Sequence, residues 1–284
     1  MDGEKQIKFM TYNVWSREDV VVYERMKVIG DLVREHSPDV IFFQEITPYI
    51  HFIFESFAWW KDYHCSPVPP GEQTFPVLEI CLIRRINAEI LSQLSKLSME
   101  SYARWEYGTS PTGKCYLEAD ITPGSMKPIR IATTQLECPV PPASMHLRDR
   151  YMQAKHSVSA LSSGDNVVFG GDMSWDDKAD MPFPLPASWC DAWEKLKCGA
   201  GGDSWTYSSL WVEKPREFGG FEFPHFNKRS DRLLCKLQDY TLETIELIGV
   251  GHLEIYCYHK DHGNGHLKIM PSCHRGLVLT IVPK

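Results

Sequence analysis

Polar side chains of the kinds that hold cations and orient water stand where the apolar runs of this sequence stop. Asn13 ends the first such run, Glu45 the next, Gln135 and Glu137 a later one and Asp172 another, while His274 immediately precedes the last. Polar groups gathered from strand ends far apart in a chain are how α/β sites are usually assembled. A carboxylate such as Glu45 is a natural ligand for a hard cation, which prefers carboxylate oxygens and water. Any one of these residues reads as a loop polar group or a satisfied buried hydrogen bond. The set is harder to dismiss.

Elements of regular structure must position them. Ile7–Val14 alternates apolar and polar and predicts a strand. A helix follows, with Val22, Met26, Ile29, Leu32 and Val33 at three- and four-residue steps, Asp19 able to cap it and Ser37-Pro38 to stop it. Asp39–Glu45 reads as a strand buried on both faces, and Thr47-Pro48 opens a second helix. Further strands are predicted over Leu78–Arg84, Cys115–Ile121, Ile129–Leu136, Val167–Asp172, Leu233–Leu237, Thr241–Ile248 and Gly276–Val282, with a helix carrying Met145, Tyr151, Ala154, Val158 and Leu161. Strands in both halves of the chain, many pairing antiparallel, imply an α/β (α+β) architecture: a two-layer β-sandwich flanked by helices.

Composition sets the bounds. Hydrophobic residues make up 43% of the 284, enough for a sizeable core, which excludes disordered and collagen-like classes. Thirty Lys and Arg against 37 Asp and Glu give a net charge of −7, excluding a blanket polycation while leaving room for a local basic lining that meets nucleic acid. Nine cysteines, odd in number and without a Cys-x-x-Cys pair, point to free thiols in a reducing compartment. The opening Met1-Asp2-Gly3-Glu4-Lys5 carries no basic-then-apolar leader, and the apolar runs fall far short of a bilayer span, so the expectation is an intracellular protein with no membrane partner. No repeat or long linker divides the chain, which reads as one domain over 1–284 with its core over 7–282.

Six segments carry a family resemblance: Thr11-Tyr12-Asn13-Val14-Trp15, Phe43-Gln44-Glu45, Thr133-Thr134-Gln135-Leu136-Glu137, Gly171-Asp172-Met173-Ser174-Trp175, Ser230-Asp231-Arg232 and Ser272-Cys273-His274-Arg275-Gly276. In order and spacing the sequence resembles the endonuclease/exonuclease/phosphatase superfamily, whose fold is DNase I-like. Within it the wording is most similar to the type 2 tyrosyl-DNA phosphodiesterases, the plant ones especially. The resemblance implies a Mg²⁺-dependent phosphodiesterase, with Mn²⁺ able to substitute, acting as a monomer in the nucleus on DNA 5′ ends that carry tyrosyl adducts of trapped topoisomerase. It implies Glu45 as the metal carboxylate, Asn13 as the residue placing metal-bound water or the phosphate, Asp172 as the group that orients or deprotonates the attacking water, and His274 as the phosphate contact. Asp231 would hydrogen-bond that imidazole and favour its charged form.

Three motif positions depart from the pattern. Gln135 stands where the family has histidine, Ser174 where it has asparagine, and Cys273 where it has aspartate. An amide still donates a hydrogen bond but brings no charge, a serine hydroxyl is shorter than an asparagine amide, and a neutral thiol is a poor Mg²⁺ ligand. Losing one such donor costs about 10²–10³ in rate, so a catalytically impaired homologue that binds DNA ends or a protein partner is the alternative. A phenol with a pKa of about 10 leaves more readily than an alkoxide, which favours the tyrosyl bond for a weakened site.

Substrate features are fewer. Tyr207 resembles the aromatic that meets the scissile end, where it would stack a base, and reads otherwise as a core aromatic. Gln135 and Ser174 belong with it as substrate-contacting positions by their place in the motifs. Arg148, Arg150 and Lys155, and Lys228, Arg229 and Arg232, are two basic groups that either line a DNA strand or are solvated charge. Cys257, His259, His262 and His266 have spacings that a zinc site could use, in a stretch, Lys260–Lys268, that reads as a loop.

Overall fold

The structure is a computed structural model, and it describes residues 6–66, 90–108, 110–139, 146–197, 204–209, 226–259 and 263–284. In chain order the elements are β1 (Ile7–Asn13), α1 (Val22–His36), β2 (Val40–Ile46), α2 (Pro48–Glu55), β3 (His64–Cys65), β4 (Ile90–Ser95), β5 (Met99–Glu106), β6 (Cys115–Ile121), β7 (Ile129–Gln135) and α3 (Leu147–Leu161). They continue with β8 (Asn166–Asp172), β9 (Cys190–Asp191), α4 (Ala192–Lys197), β10 (Tyr207–Ser208), β11 (Asn227–Lys228), β12 (Asp231–Leu237), β13 (Tyr240–Ile248), β14 (Leu253–His259), β15 (Gly263–Ile269) and β16 (Gly276–Pro283). The predicted strand over Leu78–Arg84 lies outside the described residues.

Two six-stranded sheets, ordered β13-β16-β1-β2-β4-β3 and β5-β6-β7-β8-β12-β9, stack on each other. Strand alternation explains the layering. Ile7, Phe9, Val40, Phe42, Leu277 and Leu279 from one sheet meet Ile129, Ile131, Val168, Leu233 and Cys235 from the other in one apolar cluster. The intervening residues face outward. Met10, Tyr12, Ile41 and Phe43 pack under α1 and α2, while Ala132, Val167 and Phe169 pack under α3. The predicted helix-flanked sandwich is therefore the observed architecture.

Each sheet contains one parallel pair. β1 pairs with β2 across α1, and β7 pairs with β8 across α3. A parallel crossover returns the chain to the same sheet edge, so Asn13 and Gln44 end in register on one sheet and Gln135 and Asp172 on the other. Antiparallel β12 then sets Asp231 opposite Asp172.

Two local expectations need correction. Asp19 does not cap α1: Val21 occupies that position with a left-handed backbone and no side-chain cap, and the Asp19 carboxylate is drawn instead to the Arg17 guanidinium at 2.6 and 2.7 Å. The stretch read as a loop around Lys260–Lys268 is largely β15, hairpinned to β14 with Leu253 opposite Ile269, because backbone pairing rather than side-chain composition defines that ribbon. The Cys257–His266 zinc reading rests on side chains outside those described. α2 begins as expected, Thr47 Oγ1 accepting from the Ile50 N–H at 3.1 Å. No helix among the described residues is long and apolar enough to cross a membrane.

Candidate active site

The inward faces of the strands carry on past the apolar core into polar residues. On β1, Ile7 and Phe9 are followed two by two by Thr11 and Asn13; on β7, Ile129 and Ile131 by Thr133 and Gln135; on β8, Val168 by Gly170 and Asp172. On β12, Asp231 precedes Leu233 and Cys235 on the same face. Period-two alternation thus aims Asn13, Gln135, Asp172 and Asp231 at one end of the sandwich interior. Gln44 knits the two layers beneath them, donating to Thr11 Oγ1 at 3.3 Å and to Thr133 Oγ1 at 3.2 Å.

Glu45 arrives differently. Alternation would send it outward with Ile41 and Phe43, but the β2–β4 register slips between Phe43 and Ile46, and Glu45 takes a left-handed backbone, φ 62°. A bulge of this kind re-aims a side chain. Trp15, at φ 62°, and Ser174, at φ 50°, are also left-handed. Such costly backbone concentrates at functional sites. Gly171, before Asp172, has φ +151°, and a Cβ there would lie 2.1 Å from the Thr134 carbonyl oxygen.

The carboxylates of Glu45 and Asp172 share their donors. Asn13 Nδ2 donates to Glu45 Oε1 at 2.8 Å and to Asp172 Oδ2 at 3.1 Å. Gln135 Nε2 donates to the same two oxygens at 2.9 and 3.4 Å. Each amide is fixed from behind, because Asn13 Oδ1 accepts from the Trp15 N–H at 3.0 Å and Gln135 Oε1 accepts from Lys114 Nζ at 2.8 Å. Glu45 Oε2 is held by the Ser16 N–H at 3.0 Å. Asp172 Oδ1 accepts from the Ser230 hydroxyl at 2.5 Å and the Ser174 N–H at 2.8 Å.

His274 completes the cluster. Its Nδ1 lies 2.8 Å from Asp231 Oδ2 and its Nε2 3.9 Å from Asp172 Oδ2. Ser272 ties this loop to β1, donating from Oγ to the Asn13 carbonyl at 2.7 Å and accepting from the His274 N–H at 3.0 Å. Burial works against a charged imidazole, yet Asp231 and Asp172 hold its pKa well above the usual range. Burial likewise opposes the Asp172 carboxylate, but His274, Lys228 and the Ser230 hydroxyl bring it down to about 2. The buried Cys273 thiol is pushed upward, chiefly by burial, and stays neutral.

Glu45, Asp172 and His274 offer ligand atoms within 4.8 Å of one another. An imidazole kept charged by Asp231 is a donor rather than a ligand, which leaves two carboxylate oxygens converging with only neutral amides between them. That donor set fits a hard divalent cation, which takes one or two carboxylates and keeps several waters. A cavity of about 270 Å³ opens over the cluster, lined by Glu45, Asp172, Ser174, Tyr207, Lys228 and His274 among others.

Comparison with known proteins agrees with this architecture. No family model and no curated protein matches the chain by sequence. Among solved structures, TDP2 from Caenorhabditis elegans superposes with a TM-score of 0.71 at 18% identity, covering 98% of this chain and 74% of that one. D. rerio TDP2 complexed with single strand DNA product gives 0.72 at 18%, covering 98% and 99%. An endonuclease/exonuclease/phosphatase family protein from Bacteroides thetaiotaomicron gives 0.68 at 12%, covering 99% of each. The chain has the endonuclease/exonuclease/phosphatase fold. At these identities the likeness concerns the path of the backbone, while the chemistry rests on the side chains described above.

Asn13, Glu45, Gln135, Asp172, Ser174, Asp231 and His274 all come together, and Tyr207 stands at the edge of the cluster with its ring 5.0 Å from that of His274. Glu137 does not join them: it lies buried just beyond β7, holding Ser110 and Thr112 at 2.8 and 2.6 Å. Three members of the two basic groups are taken up as buried ion pairs rather than left to line a DNA strand. Arg150 is buried against Asp180 at 2.7 Å, and Arg229 and Arg232 are buried against Asp191 at 2.6 and 3.0 Å. Their charges are consumed by carboxylates that the fold brings from elsewhere. Ser16, Lys114, Ser230 and Ser272 act in the site without having been singled out; for Ser230 and Ser272, position inside the quoted motifs is the signal that points to them.

Proposed function

We propose that this protein is a divalent-cation-dependent phosphodiesterase that hydrolyses the phosphotyrosyl bond at DNA 5′ ends, acting as a monomer in the nucleus on trapped topoisomerase adducts. The observation that carries the reading is the shared clamp of Asn13 and Gln135 on Glu45 and Asp172, with His274 and Asp231 behind it. Glu45, with Asp172 beside it, would hold Mg²⁺ or Mn²⁺. The cation would neutralise charge on the phosphate and polarise its P–O bond.

The protein groups account for the remaining requirements. Asp172, anionic at neutral pH and held on Oδ1 by Ser230 and Ser174, accepts a hydrogen bond from the attacking water and aims it in line. At a pKa of about 2 it orients water better than it stores a proton. The charged His274 donates from Nε2 to a phosphoryl oxygen and stabilises its growing charge, while Asp231 fixes the tautomer through Nδ1. Water oxygen bonds to phosphorus as the phosphorus–phenol oxygen bond breaks; tyrosine departs as the phenolate, and the proton that the water gives up passes to bulk solvent. Tyr207, beside His274, supplies a face on which the terminal base stacks.

A second reading has its own support: the site lacks a cationic residue at 135 and a carboxylate at 273, as an impaired homologue that binds DNA ends or a protein partner would. Incubating the protein with a 5′-phosphotyrosyl oligonucleotide, with Mg²⁺ and with EDTA, separates the two. Free tyrosine released only with metal is the expected result; retained DNA binding without release would establish the second reading instead.

A further inference from the structure

Three basic residues fall within five positions at β11–β12, and they meet different fates. Arg229 and Arg232 are buried against Asp177, Asp191 and Glu194. Lys228 is as buried as Arg229, at 8% exposure, but no carboxylate among the described residues lies within ion-pairing distance of it. Its Nζ donates to the Ser174 carbonyl at 2.9 Å and lies 5.2 Å from the centre of the Tyr207 ring. An ammonium has three N–H groups, so this one retains capacity to donate. It also lines the cavity that holds Glu45, Asp172 and His274.

Burying an ammonium with no directly paired carboxylate is costly, and although the Asp172 charge is near enough to be felt, the free N–H groups beside the cavity are prepared for an anion. We propose that Lys228 is a phosphate-binding residue of this site, its ammonium donating to a phosphoryl oxygen of a nucleic-acid 5′ end and supplying the positive charge that Gln135 lacks. The inference rests on the phosphoester reading of the site, and a binding measurement tests it apart from turnover. Tyr207 faces the lysine Nζ and orients it, while the Ser174 carbonyl fixes its reach. The substrate class that results is an oligonucleotide carrying a 5′-phosphoryl group, seated with that group on Lys228 and its first base toward Tyr207.

The experiment compares a 5′-phosphorylated oligonucleotide with its 5′-hydroxyl twin by fluorescence anisotropy in Mg²⁺ buffer. A charge-assisted contact predicts that the native protein prefers the phosphorylated form by about tenfold. Lys228→Met and Lys228→Gln should reduce that preference to less than twofold, with Lys228→Arg retaining most of it. Lys228→Gln keeps a donor for the Ser174 carbonyl and guards against a folding defect in the methionine variant. No preference in the native protein, or one unchanged in both neutral variants, overturns the inference. A preference lost on neutralisation in a protein that releases no tyrosine upholds Lys228 while removing the proposed reaction.

Discussion

Glu45 Oε1 and Asp172 Oδ2 come from facing sheets and accept hydrogen bonds from the same two amide nitrogens, Asn13 Nδ2 and Gln135 Nε2. The pair divides its labour through its other oxygens. Glu45 Oε2 is tethered to the loop after β1 by Ser16, whereas Asp172 Oδ1 is tethered by Ser174 and Ser230, which lie just after β8 and just before β12. Each sheet therefore contributes one anchored carboxylate, and the amides hold the two anchors in a common geometry.

Neutralising either carboxylate should stop the reaction by different routes. Asp172→Asn is expected to lower release of tyrosine from a 5′-phosphotyrosyl oligonucleotide by at least about 10³-fold while weakening Mn²⁺ binding less than Glu45→Gln does. Glu45→Gln should weaken Mn²⁺ binding by about tenfold or more, measured by calorimetry or electron paramagnetic resonance. Activity surviving in Asp172→Asn would move the water-orienting role elsewhere.

Restoring the family residues should raise turnover. Gln135→His, Ser174→Asn and Cys273→Asp together are expected to increase the rate at least about tenfold, with the gains of single changes failing to multiply because all three act in one network. Ser174→Asn should be tolerated best. Its left-handed φ of 50° is a conformation that asparagine adopts more readily than other non-glycine residues, so thermal stability should be retained. A melting temperature that falls while the rate stays flat would show that these side chains are not in the reaction's path.

The ionisation pattern predicts a definite pH response of the metal-free protein. The His274 pKa is raised in the fold, so its ionic stabilisation is complete below its unfolded value of about 6.5 and is lost as pH rises through the folded one. Asp172 is depressed to about 2, so its contribution is present above an unfolded value of about 3.9 and is lost as pH falls towards the folded value. NMR of the imidazole nitrogens should find His274 doubly protonated at pH 7, and Asp231→Asn should return its titration toward the ordinary range. A neutral imidazole at pH 7 in the native protein would contradict this account.

Much of the molecule was readable beforehand. Strands β1, β2, β6, β7, β8, β12, β13 and β16 follow from apolar alternation or short apolar runs, and α1 and α3 from apolar residues recurring on one side, because these signals are local to each segment. β4, β5 and the β14–β15 hairpin were not anticipated. Ile90–Ser95 and Met99–Glu106 mix polar and apolar residues without strict alternation, and their strand character comes from hydrogen bonds to β2 and β6.

The motifs, through the family resemblance that their order and flanks carry, grouped Asn13, Glu45, Asp172, Asp231 and His274 as candidates for one kind of chemistry. Only the tertiary structure decided how they are used. The bulge in β2 turned Glu45 from the helix side toward the cluster, Asp191 took Arg229 and Arg232 into buried ion pairs, and Lys228 was left buried beside the cavity with no ion-paired carboxylate among the described residues. Charge pairing and strand register depend on neighbours dozens to hundreds of residues away, so the same basic side chain becomes a structural ion pair or a ligand-binding group according to what the folded chain places opposite it.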